Sequence, residues 1–333
     1  MQLVNLIFCS GTPLPLESAT CTVSGHSSFK TFDDRHFMYP GRCTYQLAAD
    51  CVDNSFQIHA YTDPKCVPDP HVPCRRSVNL YLGQTEVNLK LDQQHTVTIN
   101  GANITLPHVV RSLVIKRVSN YVIVAGFQGL TVYWDGHTGV SIKMEPKFAN
   151  KTCGMCGNYN GNPGDDLRLP NGKMSTSVAQ FGNNWKKTLV GETCPNVFDK
   201  DIDGDYDKVN ATTKEKIDFL CERLWRKTEF KVCHGSVDPA PYIKQCKNDV
   251  AACKLSRHIE CVCDSFTQYS RACTRKNIVL DWRSAAICRK YIFVILYVKV
   301  CQELLRVLYL NENTAGYNSR HKCDIRSSNW TEQ

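Results

Sequence analysis

The sequence of 333 residues has no long apolar run. Its most apolar stretch, "YIFVILYVKV" from Tyr291 to Val300, is ten residues. A bilayer-spanning helix needs about 20, so no membrane span is expected. The start, "MQLVNLIFCSGTPLPLES", lacks the basic n-region and clear cleavage site of a secretory signal. Gly-x-Ser-x-Gly, His-Glu-x-x-His and the phosphate-binding loop are all missing, and the ten histidines are scattered. No catalytic residue is assigned, and the chain is expected not to be an enzyme. Cysteine is absent from residue 75 to 152.

Elsewhere cysteine is abundant, at nineteen residues. Reduced thiols are rarely so numerous unless they hold metal in compact clusters. Four Asn-x-Thr sequons, at Asn103, Asn150, Asn210 and Asn329, point the same way. Together they imply an oxidising, secretory route, with the chain secreted and extracellular. The net charge of +8 suits acidic partners such as sulfated glycans. Nucleic acid is not expected, because the cysteines place the chain outside the cell.

The cysteine-free stretch reads as antiparallel β structure. "TEVNLKLDQ" alternates Val87, Leu89 and Leu91 on one face. "HTVTINGANITL" sets Asn100-Gly101 between two alternating runs, a type I′ hairpin signal. "LTVYWDGHTGVSIKM" offers Asp135-Gly136 as a second such turn. "SLVIKRV" and "YVIVAGF" are strand-like. The fold class is therefore mainly β, a sandwich or distorted barrel.

Beyond residue 213 the texture changes. "TKEKIDFLCERLWRK" puts Ile217, Leu220 and Leu224 on one helical face, and "IECVCDSFTQYSRACTRKN" brings Cys263, Phe266, Tyr269 and Cys273 near one stripe. Eight cysteines fall here: Cys221, Cys233, Cys246, Cys253, Cys261, Cys263, Cys273 and Cys288. Roughly 70 residues bury little core, so a small helical module stapled by disulfides is expected. Cys9, Cys301 and Cys323 stand outside the even sets. Between the two regions, "FDKDIDGDYDKVN" alternates aspartates but has Tyr206 and Thr212 where an EF-hand needs Gly and Glu. It reads as an acidic linker.

The stretch "CGMCGNYNGNPGDDL", residues 153–167, admits three chemistries. Cys153 and Cys156 form a Cys-x-x-Cys pair that could run thiol–disulfide exchange. Asn158, Asn160, Asn162, Asp165 and Asp166 lie on a glycine-rich loop that could supply oxygens to calcium. The third reading is a structural staple.

"CTVSG", "FKTFDDRHFMYPGRCTYQLAADC", "VYWDGHTGVSIKM", "CGMCGNYNGNPGDDL" and "FGNNWK" together resemble a von Willebrand factor type D domain. "VDPAPYIKQC" and "CDSFTQYSRACTRKNIVLDW" are similar to the eight-cysteine module that follows such domains. The resemblance implies an N-terminal segment 1–19, a β-sandwich or barrel-like type D domain 20–195, a linker 196–213, a disulfide-rich α-helical module 214–288 and an atypical tail 289–333. It implies disulfides Cys21–Cys156, Cys43–Cys194, Cys51–Cys153 and Cys66–Cys74, which makes the Cys-x-x-Cys pair structural. It implies structural calcium on the five loop residues, completed by Asp33 of "TFDD". Asn160 stands where some members carry Asp. Gly25, His26, Ser27 and Ser28 replace the Gly-Asp-Pro-His at which some members cleave themselves, so no self-cleavage is expected.

"EFKVCH", "CDSFTQYSRAC" and "CGNYNGNPGDDL" further resemble the crossveinless-type BMP-binding regulators and kielin/chordin-like proteins. That likeness implies a non-enzymatic binding or scaffold module in regulation of BMP-like growth factors, with an extracellular matrix glycoprotein as the other partner. The basic residues concentrated in the second module, among them Arg223, Arg226, Lys227, Lys231, Arg275 and Lys276, read either as a solvated helical surface or as a heparan sulfate patch, which fits that likeness. The alternatives are a structural component of a disulfide-linked matrix or mucin-like multimer, and thiol–disulfide exchange through Cys153 and Cys156.

Overall fold

The computed structural model describes residues 17–25, 27–62, 75–90, 96–118, 121–187, 194–202, 205–253, 258–284 and 288. His26, Cys66 with Cys74, Asn329, Cys9, Cys301, Cys323 and the apolar run 291–300 lie outside the described residues. The chain divides into two units, residues 1–281 and 282–333; the first holds nearly all that is described.

Strands β1 (Ala19–Ser24), β2 (Ser28–Lys30) and β3 (His36–Met38) open the fold. β4 (Thr44–Asp50), β5 (Phe56–Thr62), β6 (Arg76–Leu82), β7 (Thr85–Leu89), β8 (Val97–Ile99) and β9 (Ala102–Ile104) run on as a meander. β10 (His108–Val110), β11 (Leu113–Val118), β12 (Tyr121–Phe127), β13 (Leu130–Trp134) and β14 (Val140–Met144) form a second meander, and β15 (Thr152–Cys153) closes the set. They make two antiparallel sheets, in order β10-β11-β12-β13-β14-β1-β2-β3 and β15-β4-β5-β6-β7-β8-β9. Val23, Val132, Trp134 and Ile142 of the first sheet share one core with Leu47, Ile58, Leu80 and Val87 of the second. The period-2 burial of β5, β6 and β7 follows from one face on that core. Trp134 is fully buried, and its Nε1 donates to the Arg76 carbonyl at 2.8 Å; truncating such a side chain costs about 3–5 kcal/mol.

Asn100 and Gly101, at φ 48° and 83°, are the two-residue turn between β8 and β9. Asp135-Gly136 is not a second turn of that kind. Five residues connect β13 to β14, and Asp135 Oδ1 accepts from the backbone N–H of His137 and Gly139, both at 2.9 Å. The Asp side chain caps a wider loop instead of letting the strands close at once.

β4 is buried along its whole length. Its outer side is covered by the segment after β15 and by helix α1 (Val178–Asn184) with the residues that follow, since Gln46 N donates to the Trp185 carbonyl at 3.0 Å. The acidic stretch is not a bare linker: it carries helices α2 (Asp199–Ile202) and α3 (Asp205–Lys208). Tyr206 anchors α3, its hydroxyl donating to Asp218 Oδ1 at 2.7 Å.

The helical module contains α4 (Ala211–Cys221), α5 (Arg223–Arg226), α6 (Thr228–Lys231), α7 (Ala240–Ala252) and α8 (His258–Arg275). Ile217 and Leu224 are fully buried as the helical face requires, but the helix breaks at Glu222 into α4 and α5. Phe230, Phe266, Tyr242 and Tyr269 form an edge-to-face aromatic core with centroids 5.2–6.1 Å apart. Disulfides Cys221–Cys246, Cys233–Cys273 and Cys253–Cys261 staple it. Cys263 and Cys288 are also disulfide-bonded.

Candidate functional site

The segment 153–157 is wedged between the sheets by backbone bonds. Met155 N and Cys156 N donate to the Gln46 and Leu47 carbonyls at 3.0 and 2.8 Å, and Phe32 N donates to the Cys156 carbonyl at 3.0 Å. Gly154, at φ 123°, passes so close to β4 that a Cβ would stand 2.6 Å from the Leu47 carbonyl oxygen, which only glycine allows. Cys153 is bonded to Cys51 beside the second sheet and Cys156 to Cys21 in the first. A third disulfide, Cys43–Cys194, ties the start of β4 to the segment after α1. The Cys-x-x-Cys residues are therefore not partners of each other, and Cys156 is fully buried.

Immediately beyond lies a cluster of oxygens. Asp33, in the turn after β2, accepts from the Asn160 and Gly161 backbone N–H groups at 2.9 Å each. Asp166 is buried; its Oδ2 accepts from the Thr31 hydroxyl at 2.6 Å and its Oδ1 from Asn158 N at 3.2 Å. Burial, with the nearby Asp33 charge adding to it, holds the Asp166 carboxyl up at about 7 against the lowering effect of the hydrogen bonds from Thr31 and Asn158. Burial raises the Asp165 carboxyl too, yet bonds from Arg168, Asn158 and Asn160 leave it below the usual range. Asn158 Oδ1 is buried with no hydrogen-bond partner among the described residues. A buried acceptor facing clustered carboxylates lacks a positive counterpart, as a site for a hard cation would.

Two of the sequence-chosen oxygens are otherwise engaged. Asn162 Oδ1 accepts from Gly164 N at 2.9 Å and caps a short 3-10 turn, Pro163–Asp165. Asn160 turns its NH₂ toward both Asp165 oxygens at 3.1 Å, and its Oδ1 accepts from Asn162 N at 2.8 Å. Among the described residues no three His, Cys, Asp or Glu side chains group as a metal site, so a cation here needs amide or carbonyl oxygen as well. The sequence reading missed three supports. Thr31 orients Asp166; Arg35 donates to the Pro163 and Gly164 carbonyls at 3.0 and 3.1 Å; Arg168 donates to Asp165 at 2.8 Å. Their signal was proximity: Thr31 and Arg35 flank the quoted aspartates, and Arg168 follows Asp165 by three.

The six candidate glycan-binding cations are split. Arg223, Arg226, Lys227 and Lys231 sit on and between α5 and α6, where Arg226 pairs with Glu222 and Arg223 lies over the Phe219 ring. Arg275 and Lys276 sit at the end of α8, where Arg275 Nη2 donates to Ser141 Oγ of β14 at 3.3 Å. Asn103 is exposed on the edge strand β9, and Asn150 is exposed at φ 61°. Asn210 is exposed as well, but its side chain caps α4 by accepting from Thr213 N at 2.9 Å.

The von Willebrand factor type D domain family matches residues 21–173 and the C8 domain family residues 220–289. Over 84% of its length the chain is 35% identical to von Willebrand factor of Bos taurus, covering 29% of that protein. It is 30% identical to mucin-6 of Gallus gallus over 82% of the chain and 22% of the relative. It is also 30% identical to human otogelin-like protein, over 79% of the chain and 11% of the relative. The chain thus spans less than a third of these curated relatives.

Proposed function

Because the chain carries a von Willebrand factor type D domain followed by a C8 domain, and is homologous to von Willebrand factor, mucins and otogelin, we propose that it serves as a non-enzymatic structural module of a disulfide-linked extracellular multimer. The chain is secreted and extracellular; among the described residues no helix is long and apolar enough to cross a membrane. The observation that carries the proposal is the state of sulfur: all fourteen described cysteines are in disulfides. None of them is then a free thiol that could start an exchange; within the chain they rigidify its domains, and links between chains fall to cysteines outside the described set. The relatives favour this reading over regulation of a BMP-like growth factor. The split of the six cations between two places supports no single heparan sulfate patch. The partner is then an extracellular matrix glycoprotein or another copy of the parent chain.

Calcium belongs to the same proposal. Asp33, Asn158, Asp165 and Asp166 would hold it, and the ion would supply the positive charge that the buried Asn158 oxygen and the Asp166 carboxylate lack. This chain's residues do the positioning: Thr31 fixes Asp166, Arg35 clamps the loop carbonyls, and the two disulfides fix the loop's root.

Non-reducing electrophoresis of the secreted chain tests the multimer. Species larger than the monomer that collapse under reductant are expected, carried by cysteines outside the described set such as Cys9, Cys301 or Cys323. A monomer alone, with every cysteine paired internally or free, would refute it.

A further inference from the structure

Two open sheets have four edges, and two of these are covered. The β4 edge is taken by β15 and by residues 185–187, where Gln46 N donates to the Trp185 carbonyl at 3.0 Å and Lys187 N to the Thr44 carbonyl at 2.8 Å. The β3 edge is met by α7, with Asn248 Nδ2 3.1 Å from Met38 Sδ and Tyr242 edge-on to His36 at 5.3 Å. The other two edges, β9 and β10, have no strand on their outer side among the described residues. Only Thr105, Leu106 and Pro107 join them, a link just long enough to cross the roughly 10 Å between packed sheets. Both edges therefore open at the same end of the sandwich.

Register decides which backbone groups face outward there. Asn100 N donates to the Glu86 carbonyl and Lys90 N to the Thr96 carbonyl, each at 2.9 Å, so Asn88 and Thr98 between them are also a hydrogen-bonded pair. Thr98 thus turns its backbone groups to β7. Asn103 opposite it is a non-hydrogen-bonded partner, and its own N–H and C=O point away from the sheet. Val110 and Leu113 flank the two-residue turn of the β10–β11 hairpin and bond each other, so Val109 faces its backbone groups outward in the same way. The Val109 side chain is 67% exposed.

Free backbone groups beside an exposed apolar side chain are a template for pairing with another chain. A second copy of this chain matches best, because antiparallel pairing about a two-fold axis sets each edge against its own copy. Proteins blunt such edges with short strands, lysine or proline. β9 and β10 are short, and Pro107 precedes β10, but β9 holds neither lysine nor proline. It holds the sequon Asn103-Ile104-Thr105 instead, on the very residue whose backbone faces out. Ile99 and Ile104 pack inward and Asn103 is exposed, so its side chain stands off the outer face.

We infer that an N-glycan on Asn103 guards the open end of the sandwich, and that without it two copies pair non-covalently through β9 and β10. The bulk of the sugar keeps a second sheet from the outward-facing backbone of β9, and so holds the adjoining β10 apart as well. This needs the secretory route but not the disulfide-linked multimer.

Sedimentation of the chain secreted from glycosylating cells tests it. Thr105→Ala deletes the sequon and leaves Asn103 in place. Its covalent mass should fall by one glycan, while its mass in native buffer should rise toward twice the wild-type value with concentration. That association should vanish in SDS without reductant, which separates it from disulfide-linked species. Asn210→Gln loses a glycan on the helical module and should sediment as wild type. Asn103→Lys, and Val109→Lys added to Thr105→Ala, put a charge on the edge in place of the sugar and should not associate. An unmodified Asn103 in the wild type would overturn the inference. So would Thr105→Ala sedimenting as wild type up to about 1 mM, Asn210→Gln associating as strongly, or association persisting in both lysine variants.

Discussion

Gly157→Ala is the sharpest probe of the oxygen cluster. Gly157 has φ 81°, and a Cβ there would stand 2.0 Å from Asp166 Oδ1 and 2.6 Å from its Cγ. Asp166 has nowhere to retreat, being buried and held by Thr31 at 2.6 Å. The carboxylate must move by about 1 Å or more to reach ordinary contact, breaking its bonds to Thr31 Oγ1 and Asn158 N. Left-handed backbone costs a residue with a Cβ about 1–2 kcal/mol, and a hydrogen bond to a charged group is worth about 1.5–3 kcal/mol. With two such bonds lost, Gly157→Ala should therefore cost about 4–8 kcal/mol. Gly161 supplies the control: its φ is 84°, but a Cβ there meets nothing within 4 Å, so Gly161→Ala should cost only about 1–2 kcal/mol. Urea unfolding of both variants, with chelator and with saturating calcium, reads the two losses. A calcium titration should show affinity much reduced in Gly157→Ala and close to wild type in Gly161→Ala. Equal losses in the two variants, or full calcium affinity in Gly157→Ala, would refute the claim that the Asp166 carboxylate is fixed at the site by the absence of that one Cβ.

Other consequences can be measured in the same way. Replacing Cys21 and Cys156 by Ala opens a closure of 135 residues, worth about 5 kcal/mol by chain entropy. Replacing Cys221 and Cys246 opens one of 25, worth about 3.5 kcal/mol; the reverse order in denaturant unfolding would contradict this. The Asp166 carboxyl, held at about 7 against an ordinary value of about 3.9, binds its proton more tightly folded than unfolded. In chelator its stabilising contribution is present below about pH 4 and is lost as pH rises towards 7. Calcium needs the ionised form, so its affinity should fall as pH drops through about 7; calorimetric titrations at pH 8, 7 and 6 that agree would rule this out. Asn103→Gln and Asn210→Gln should each remove one glycan by mass, but only Asn210→Gln should also cost about 1 kcal/mol, through the lost cap on α4.

The β framework was legible because its cues are local. The alternation Val87, Leu89 and the Asn100-Gly101 turn need nothing beyond neighbouring residues, and both appear in β7 and the β8–β9 hairpin. Asp135-Gly136 misled because the same dipeptide serves two turns, and the choice is made by the Asp135 side chain bonding two residues and four residues on. Helix α7 gave little signal. Its stripe Tyr242, Cys246, Val250 is broken by Gln245 and Asn248, which are buried only because they face the first sheet. Local pattern does not separate Asp33 from Asp34, and only the family resemblance picked Asp33: the left-handed backbone of Asp34, at φ 66°, sends it out to Lys30, while Asp33 points into the loop.

The placement of the two loop disulfides explains why one short stretch carries cysteines, glycines and acids together. Each sheet by itself has only one face on the shared core, and burial is non-directional, so it does not fix where the edges of the two sheets meet. Cys156 anchors the loop to β1 of the first sheet and Cys153 to the end of β4 in the second, so the segment between them is a strut of fixed length. Gly154 and Gly157 let that strut lie flat against the Leu47 carbonyl and the Asp166 carboxylate. The acidic residues follow at once because a rigid root is what lets Asp33, from another part of the chain, find the same two backbone N–H groups every time the domain folds. Thiol exchange would need a thiolate to reach these sulfurs, yet Cys156 is sealed in the core. Opening it would release the strut, the first strand and the oxygen cluster together, so the geometry that makes the stretch a good joint makes it a poor redox centre.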